Sequence, residues 1–235
     1  MSDRVPRVNT RRQASRERWQ RPLASAHDRR QAWANLMLVD HGFLRLAYRN
    51  RHQVTEGVWR SAQPSPADIG WARRAGIRTI VSLRAGAFGG DHLEREACEQ
   101  QGLAFQRVIM RSRAAPLKES LREAMDVFPK LERPVLLHCK SGADRAGLGT
   151  ALYLMIVEGM SVREAKAQLS LRFGHFSSGR TGILDAFLAD YEATGEAAGI
   201  PFAEWVERVY DPNALTARFK PNGATDLLLT LLRRE

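Results

Sequence analysis

The chain has few cysteines and no long apolar run. Its two cysteines, Cys98 and Cys139, are too few for a disulfide framework and do not form a metal-binding cluster, so a reducing compartment fits best. The chain contains no stretch of about 18 apolar residues, which is the length needed to span a membrane. The first 30 residues also lack the continuous apolar core of a signal peptide. We therefore expect a cytoplasmic protein that needs no metal or other cofactor.

Lysine is scarce, because arginine supplies all but five of the 36 basic residues. The formal net charge is nevertheless +10, and residues 1–50 contribute much of it with eleven arginines against four acidic residues. Such an excess predicts an anionic partner, for which nucleic acid, an acidic membrane face and phosphate esters are candidates. Beyond Trp19, no aromatic residue accompanies the arginines of the first 28 residues, so stacking on nucleic-acid bases is poorly supported.

Composition divides the chain into four parts. Residues 1–28 are rich in arginine, serine and glutamine, which predicts a flexible basic arm. The helical spacing of apolar residues in 29–52 predicts an amphipathic segment that either packs on the core or touches an anionic membrane. Its stripe consists of Trp33, Leu36, Met37, Leu44, Ala47 and Tyr48. Residues 53–195 form the main domain, and residues 196–235 form a helical C-terminal extension.

Strand-like and helix-like segments alternate through the main domain. The strand patterns lie at 57–65, 77–84, 103–110 and 134–138, and the helix patterns between them lie at 67–75, 92–101 and 117–130. Helix patterns then follow at 146–158, 161–174, 181–193, 202–210 and 225–234. This alternation predicts an α/β fold with a central, mostly parallel sheet of four or five strands flanked by helices, and with helical extensions at both ends.

The eight residues HCKSGADR, 138–145, lie between the last strand pattern and a helix pattern. Loops at the carboxyl ends of parallel strands are where α/β sheets bind ligands. Gly142 and its small neighbours Ser141 and Ala143 let the backbone curl until several N–H groups point inward, which makes an anion site at the start of the helix. The positive field of these N–H groups and of the helix start favours an ionised thiol, so we expect Cys139 to be a thiolate.

The guanidinium of Arg145 completes the pattern, because it can hold two oxygens of a phosphate during transfer to the sulfur. The segment resembles the His-Cys-x5-Arg signature of the protein tyrosine phosphatase superfamily, most closely its dual-specificity-like and bacterial branches. EGVWRSAQPSP, IRTIVSLR and RFGHFSSGRTGILDAF are also similar to segments of bacterial members. The resemblance covers residues 57–193 and implies a cysteine-phosphatase fold with residues 53–195 as the catalytic domain.

The resemblance implies a role for each residue of the signature. Cys139 would be the nucleophile that forms a phosphocysteine, and Arg145 would hold the phosphate. His138 would hydrogen-bond the loop and favour the ionised thiol. The residues that would offer backbone N–H groups are Lys140, Ser141, Gly142, Ala143 and Asp144. Lys140 would also add positive charge at the mouth of the site, unless it only faces solvent.

Two positions depart from the family pattern. The general-acid loop should be RSRAAP, residues 111–116, and it contains no carboxylate. A general acid matters because it protonates the leaving oxygen, which contributes about 10²- to 10⁴-fold in rate. Asp144 could replace it, or could instead brace Arg145 or cap the helix, and Asp91 is a further candidate. Ala146 stands where the family usually has a hydroxyl, which predicts slow breakdown of the phosphoenzyme.

We therefore expect a phosphoric monoester hydrolase acting through Cys139. Its substrate would be a phosphotyrosine protein or a phosphorylated lipid or glycolipid. Lys140, Asp144 and the basic amphipathic segment favour a lipid, with peripheral contact to the inner membrane face. The alternative is a catalytically weak phosphate-binding module of the same fold. Cys98 lies among carboxylates in a helix, so we expect a structural role for it.

Overall fold

A central sheet of five strands organises the protein, whose computed structural model describes residues 17–86 and 88–222. The strands are β1 (His52–Thr55), β2 (Val58–Ala62), β3 (Thr79–Ser82), β4 (Ala104–Arg107) and β5 (Val135–Cys139). They lie in the order β1-β2-β5-β3-β4, and every neighbouring pair is parallel except β1 and β2. The predicted α/β class is confirmed. The antiparallel edge strand β1 was not predicted.

Helices cover both faces of this sheet. The α-helices are α1 (Ala26–Ala34), α2 (Gly42–Ala47), α3 (Pro66–Arg74), α4 (Gly89–Gln101), α5 (Lys118–Val127), α6 (Asp144–Val157), α7 (Val162–Ala165), α8 (Ile183–Thr194), α9 (Phe202–Arg208) and α10 (Pro212–Arg218). Local sequence sets several of their ends. Ser161 caps α7 by accepting a hydrogen bond from the Glu164 N–H, and Gly102 ends α4 in the left-handed region with φ +64°.

The sheet separates two apolar clusters, because successive side chains of a strand point to opposite faces. On one face Leu136 of β5 packs with residues of α3, β3 and α4, including Ile69, Ile80 and Cys98. Burial there raises the pKa of the Cys98 thiol to about 12, so this cysteine is a neutral packing group. The larger cluster covers the other face and includes α6 and α8.

The amino-terminal segment differs from its prediction in two ways. Residues 17–28 are not all a flexible arm, because Trp19 and Leu23 are buried against Leu93 of α4. The predicted stripe of residues 29–52 does not face the core as one helix. A π-helical stretch, Asn35–Val39, and a left-handed residue at His41 interrupt the helical period. Of the stripe, only Leu36 is buried.

The helix predicted at 161–174 is also broken. After α7 the chain forms the 3-10 turns Lys166–Gln168 and Leu171–Phe173, and the carbonyls of Gln168 and Phe173 accept bonds from side chains of Arg60 and Asn50. The described part of the predicted C-terminal extension, residues 196–222, packs in the main core, since Trp205 of α9 is fully buried in the larger cluster. The helix predicted at 225–234 lies outside the described residues.

Candidate active site

A short loop, 140–143, connects β5 to α6 at the carboxyl edge of the parallel strands. The register sets Cys139 beside Ala62 of β2, so the loop begins where both strands end. Gly142 has a φ of +75°, and a Cβ at this position would lie 2.5 Å from the backbone nitrogen of Ala62. Both the positive φ and the close approach require glycine. The tight turn predicted from the sequence is therefore present.

Every carbonyl of the loop accepts a hydrogen bond from a group outside it. The pairs are Lys140 with the N–H of Gln63 at 3.3 Å, Ser141 with Nδ2 of Asn50 at 3.0 Å, Gly142 with Nη2 of Arg60 at 2.8 Å, and Ala143 with the same Nη2 at 3.0 Å. In a trans peptide the N–H points opposite to the C=O. The N–H groups of residues 141–144 therefore point away from the groups that hold these carbonyls.

Arg60 is the main support of this loop, and sequence reasoning missed it. The side chain is fully buried beneath the loop carbonyls, and its Nη1 also donates to the carbonyl of Gln168 at 2.6 Å. Its guanidinium lies 3.9 Å over the ring of Phe173. Burial lowers the pKa of Arg60 to about 10, which leaves it charged at neutral pH. The available signal was an arginine inside the apolar strand GVWRSA, where a charge needs a buried partner.

Asn50 is the second support that sequence reasoning missed. It adopts a left-handed backbone conformation with φ +44°, and its Nδ2 donates both to Ser141 of the loop and to the carbonyl of Phe173 at 2.9 Å. This side chain ties the loop to the 3-10 turn Leu171–Phe173. No local pattern around Asn50 indicates that role, since its partners lie about 90 and 120 residues further along the chain.

The two residues predicted to carry the chemistry flank the loop. Cys139 ends β5 and is only 1% exposed, while Arg145 is the second residue of α6 and is half-buried. Both lie next to the amides described above, at the positive end of the α6 dipole, which favours negative charge.

Asp144 begins α6 and is almost completely buried. Its Oδ1 accepts a hydrogen bond from Nδ1 of His175 at 2.8 Å. That contact is the kind expected of a bracing residue, and it occupies one of the two carboxylate oxygens. The role of Asp144 as proton donor stays a prediction.

His138 contacts a different partner from the one predicted. Its ring is fully buried, with Nε2 2.6 Å from Oε1 of Glu94, and neither ring nitrogen donates to the loop among the described residues.

Lys140 has its Nζ 3.9 Å from Oδ1 of Asp40, a carboxylate from the amino-terminal segment. Burial opposes ionisation of Asp40, but the hydrogen bonds and charge of Arg84 hold its pKa below the usual range. Lys140 is therefore not simply a solvent-facing charge.

Asp91, the other candidate acid, lies at the start of α4. Its Oδ1 is 3.5 Å from Nε2 of Gln63, the residue whose backbone N–H holds the carbonyl of Lys140. Burial, reinforced by the neighbouring carboxylate of Glu94, raises the pKa of Asp91. A proton donor needs a raised pKa, so Asp91 remains a candidate general acid. That role also stays a prediction.

An exposed apolar patch borders the loop. It consists of Leu38, Val39, Phe43, Leu44, Leu46 and Tyr48, each at least half exposed. Residues next to the patch in the chain contact the loop, since Asp40 lies beside Lys140 and Asn50 bonds to Ser141. Among residues 17–86 and 88–222, no helix has the length and apolarity needed to cross a bilayer.

A protein-family model matches residues 29–182, well over half of the chain, and is described as DSP-PTPase phosphatase fused to NAD+ kinase. The match includes the amino-terminal segment that carries the apolar patch as well as the sheet and the loop. The family resemblance inferred from HCKSGADR is thus confirmed over a longer stretch than predicted.

Curated relatives and a solved structure agree with this match. The chain is 32% identical over 103 residues to inositol diphosphatase DSP4 of Arabidopsis thaliana, covering 42% of this chain and 51% of that protein. It is 27% identical over 125 residues to dual specificity protein phosphatase TpbA of Pseudomonas aeruginosa UCBPP-PA14, covering 51% and 53%. The chain thus spans about half the length of these relatives. A DUF442 protein of Shewanella putrefaciens CN-32 shares the fold, with a TM-score of 0.51, 16% identity, and coverage of 64% of this chain and 94% of that one.

Proposed function

The chain belongs to the family described as DSP-PTPase phosphatase fused to NAD+ kinase, and on that premise we propose that it hydrolyses phosphomonoesters through Cys139. The observation that carries the proposal is the loop 140–143, whose carbonyls all accept hydrogen bonds from groups outside the loop, so that its amides point away from those groups, beside a cysteine and an arginine. Such a nest fits the equatorial oxygens of a phosphate.

The proposed reaction has two steps. The ionised sulfur of Cys139 attacks phosphorus, the bond from phosphorus to the leaving oxygen breaks, and that oxygen takes up a proton. Water then attacks phosphorus, the S–P bond breaks, and the thiolate and inorganic phosphate are released. Arg145 and the amides of residues 141–144 bind the charge on the phosphoryl oxygens in both steps. The alternative is a phosphate-binding module without turnover. It uses the same amides of residues 141–144 and Arg145, which together we call the phosphate cradle, and it lacks the first step.

The two cysteines provide an internal test of the cradle. At pH 7 we expect iodoacetamide to modify Cys139 at least about 10-fold faster than Cys98, because only Cys139 lies at an anion site that favours the thiolate. Tungstate, a phosphate mimic, should protect Cys139. Peptide mapping by mass spectrometry measures both rates. Equal labelling of the two cysteines, or no protection by tungstate, would remove the basis for a reactive thiolate in this loop.

The substrate that we propose is a phosphorylated lipid headgroup at an anionic membrane. The apolar patch lies beside the loop, so a membrane contacted by the patch would present headgroups to the cradle. Charge complementarity supports this occupant, since the described part of the first 50 residues contains six arginines against three acidic side chains. Exposed arginines near the patch, including Arg30 and Arg49, would contact anionic lipids.

Removing two leucines from the patch tests this substrate class. We expect Leu38→Ser with Leu44→Ser to weaken binding to phosphatidylcholine–phosphatidylserine vesicles by about 10-fold or more, since each leucine inserted in a membrane contributes about 1.5 to 3 kcal/mol. Phosphate release from phosphatidylinositol phosphate in those vesicles should fall in parallel. Hydrolysis of a soluble aryl phosphate should not change. Vesicle co-sedimentation and phosphate release give the two readouts.

The control is Val209→Ser, which removes a similarly exposed apolar side chain after α9. A panel of phosphotyrosine peptides and soluble inositol phosphates accompanies the vesicles. Faster turnover of a phosphotyrosine peptide than of the vesicle lipid, with unchanged vesicle binding by the double variant, would exclude the lipid. Equal turnover of lipid-borne and soluble inositol phosphates would locate recognition in the headgroup alone.

A further inference from the structure

A buried histidine connects the loop to a helix on the other side of the main cluster. His175 is 1% exposed. Its Nδ1 donates to Oδ1 of Asp144 at 2.8 Å, and its Nε2 donates to Oδ2 of Asp185, in α8, at 2.7 Å. Both partners are carboxylates, so both ring nitrogens must carry a proton for both bonds to form. The geometry therefore selects the imidazolium cation.

The charged groups around His175 come from three elements. Asp144 comes from the start of α6, Asp185 comes from α8, and Arg60 of β2 lies close enough to Asp144 for their charges to interact. Burial lowers the pKa of His175, but the hydrogen bonds and charges of the two carboxylates outweigh it and raise the pKa to about 9. Loss of the imidazolium would remove one positive charge that is in direct contact with Asp144 at the start of α6.

We propose that His175 is a positioning residue of the phosphate cradle. Clamped between Asp144 and Asp185, its cation fixes the first residue of α6 and offsets the negative charge that Asp144 would direct at a bound phosphate. When His175 loses a proton, one of its two ring nitrogens becomes an acceptor that faces a carboxylate, so one of the two bonds is lost along with the positive charge. This inference rests on the proposed phosphate site and adds a residue that does not touch the phosphate.

The test follows tungstate affinity with pH by calorimetry, on the full chain, because tungstate keeps its double negative charge across this range. Wild-type affinity should be constant near neutrality and fall as pH rises through about 9. In Asp185→Asn one of the two stabilising carboxylates is gone, so the fall should begin about 1 to 2 pH units lower. The affinity at pH 6 should be preserved. Asp185→Glu should restore the wild-type profile.

A second variant keeps the proposal testable if Asp185→Asn folds poorly. His175→Gln places an uncharged amide donor near the position of Nε2, which faces Asp185, so tungstate affinity should be lower at pH 7 and should not show the fall near pH 9. Asp190→Asn, on the same helix and ion-paired with Arg218, is the matched control and should keep the wild-type profile.

The outcomes separate this inference from the proposed function. A wild-type protein that binds no tungstate at any pH overturns both. A protein that binds tungstate but has the same pH dependence in Asp185→Asn, or retains the fall near pH 9 in His175→Gln, overturns the role of His175 and leaves the cradle intact.

Discussion

Replacing Cys139 by serine should lower phosphate release by at least about 10⁴-fold, because a hydroxyl in this position is a far weaker nucleophile than a thiolate. Tungstate binding should persist, since the loop amides and Arg145 do not depend on the sulfur. Steady-state phosphate release on aryl and lipid phosphates measures the first effect, and calorimetry measures the second. The combination distinguishes loss of chemistry from loss of the site.

The control for this variant is Cys98→Ala, which changes the other cysteine in an apolar cluster and should leave turnover near the wild-type value. Turnover that survives in Cys139→Ser would rule out the phosphocysteine. A wild-type protein that binds tungstate and releases no phosphate from any member of the panel would instead establish the non-catalytic module.

Replacing Arg60 by methionine should have the second large effect. The substitution leaves the carbonyls of Gly142 and Gln168 without their buried donor, and it leaves the carbonyl of Ala143 with the N–H of Gly147 alone. Unpaired buried carbonyls of this kind lower the free energy of unfolding by about 3 kcal/mol in total. With the loop released, its amides no longer converge, and tungstate affinity should fall by about 10²-fold. Urea denaturation and calorimetry give the two values.

Arg60→Lys separates the charge from the geometry, because an ammonium keeps the charge but cannot span three carbonyls as the guanidinium does. It should bind tungstate nearly as weakly as the methionine variant. Arg51→Met is the matched control, since Arg51 is also partly buried and stacks on Trp71, but contacts Asp68 rather than the loop. Tungstate affinity that survives Arg60→Met would mean that the loop holds its shape without this residue.

The amino-terminal segment shows why an apolar pattern can be detected in the sequence although the helix that it predicts is not continuous. The period of Trp33, Leu36, Met37, Leu44 and Tyr48 predicts one continuous stripe. The π-helical stretch Asn35–Val39 and the left-handed His41 change the phase within that stripe, so most of it is exposed. A count of apolar residues cannot detect such a phase change.

The sequence by itself determined the sheet class and the contiguous loop. Alternating apolar runs define strands and helices locally, and Gly142 specifies a turn that only glycine can adopt, so residues 138–145 could be read directly. Only the tertiary structure decided what holds that loop and what faces it. Asn50, Arg60 and His175 lie far from the loop in the chain, and nothing in their local sequence sets their distance from it. Their roles arise because buried polar groups must find partners wherever the packed chain brings them together.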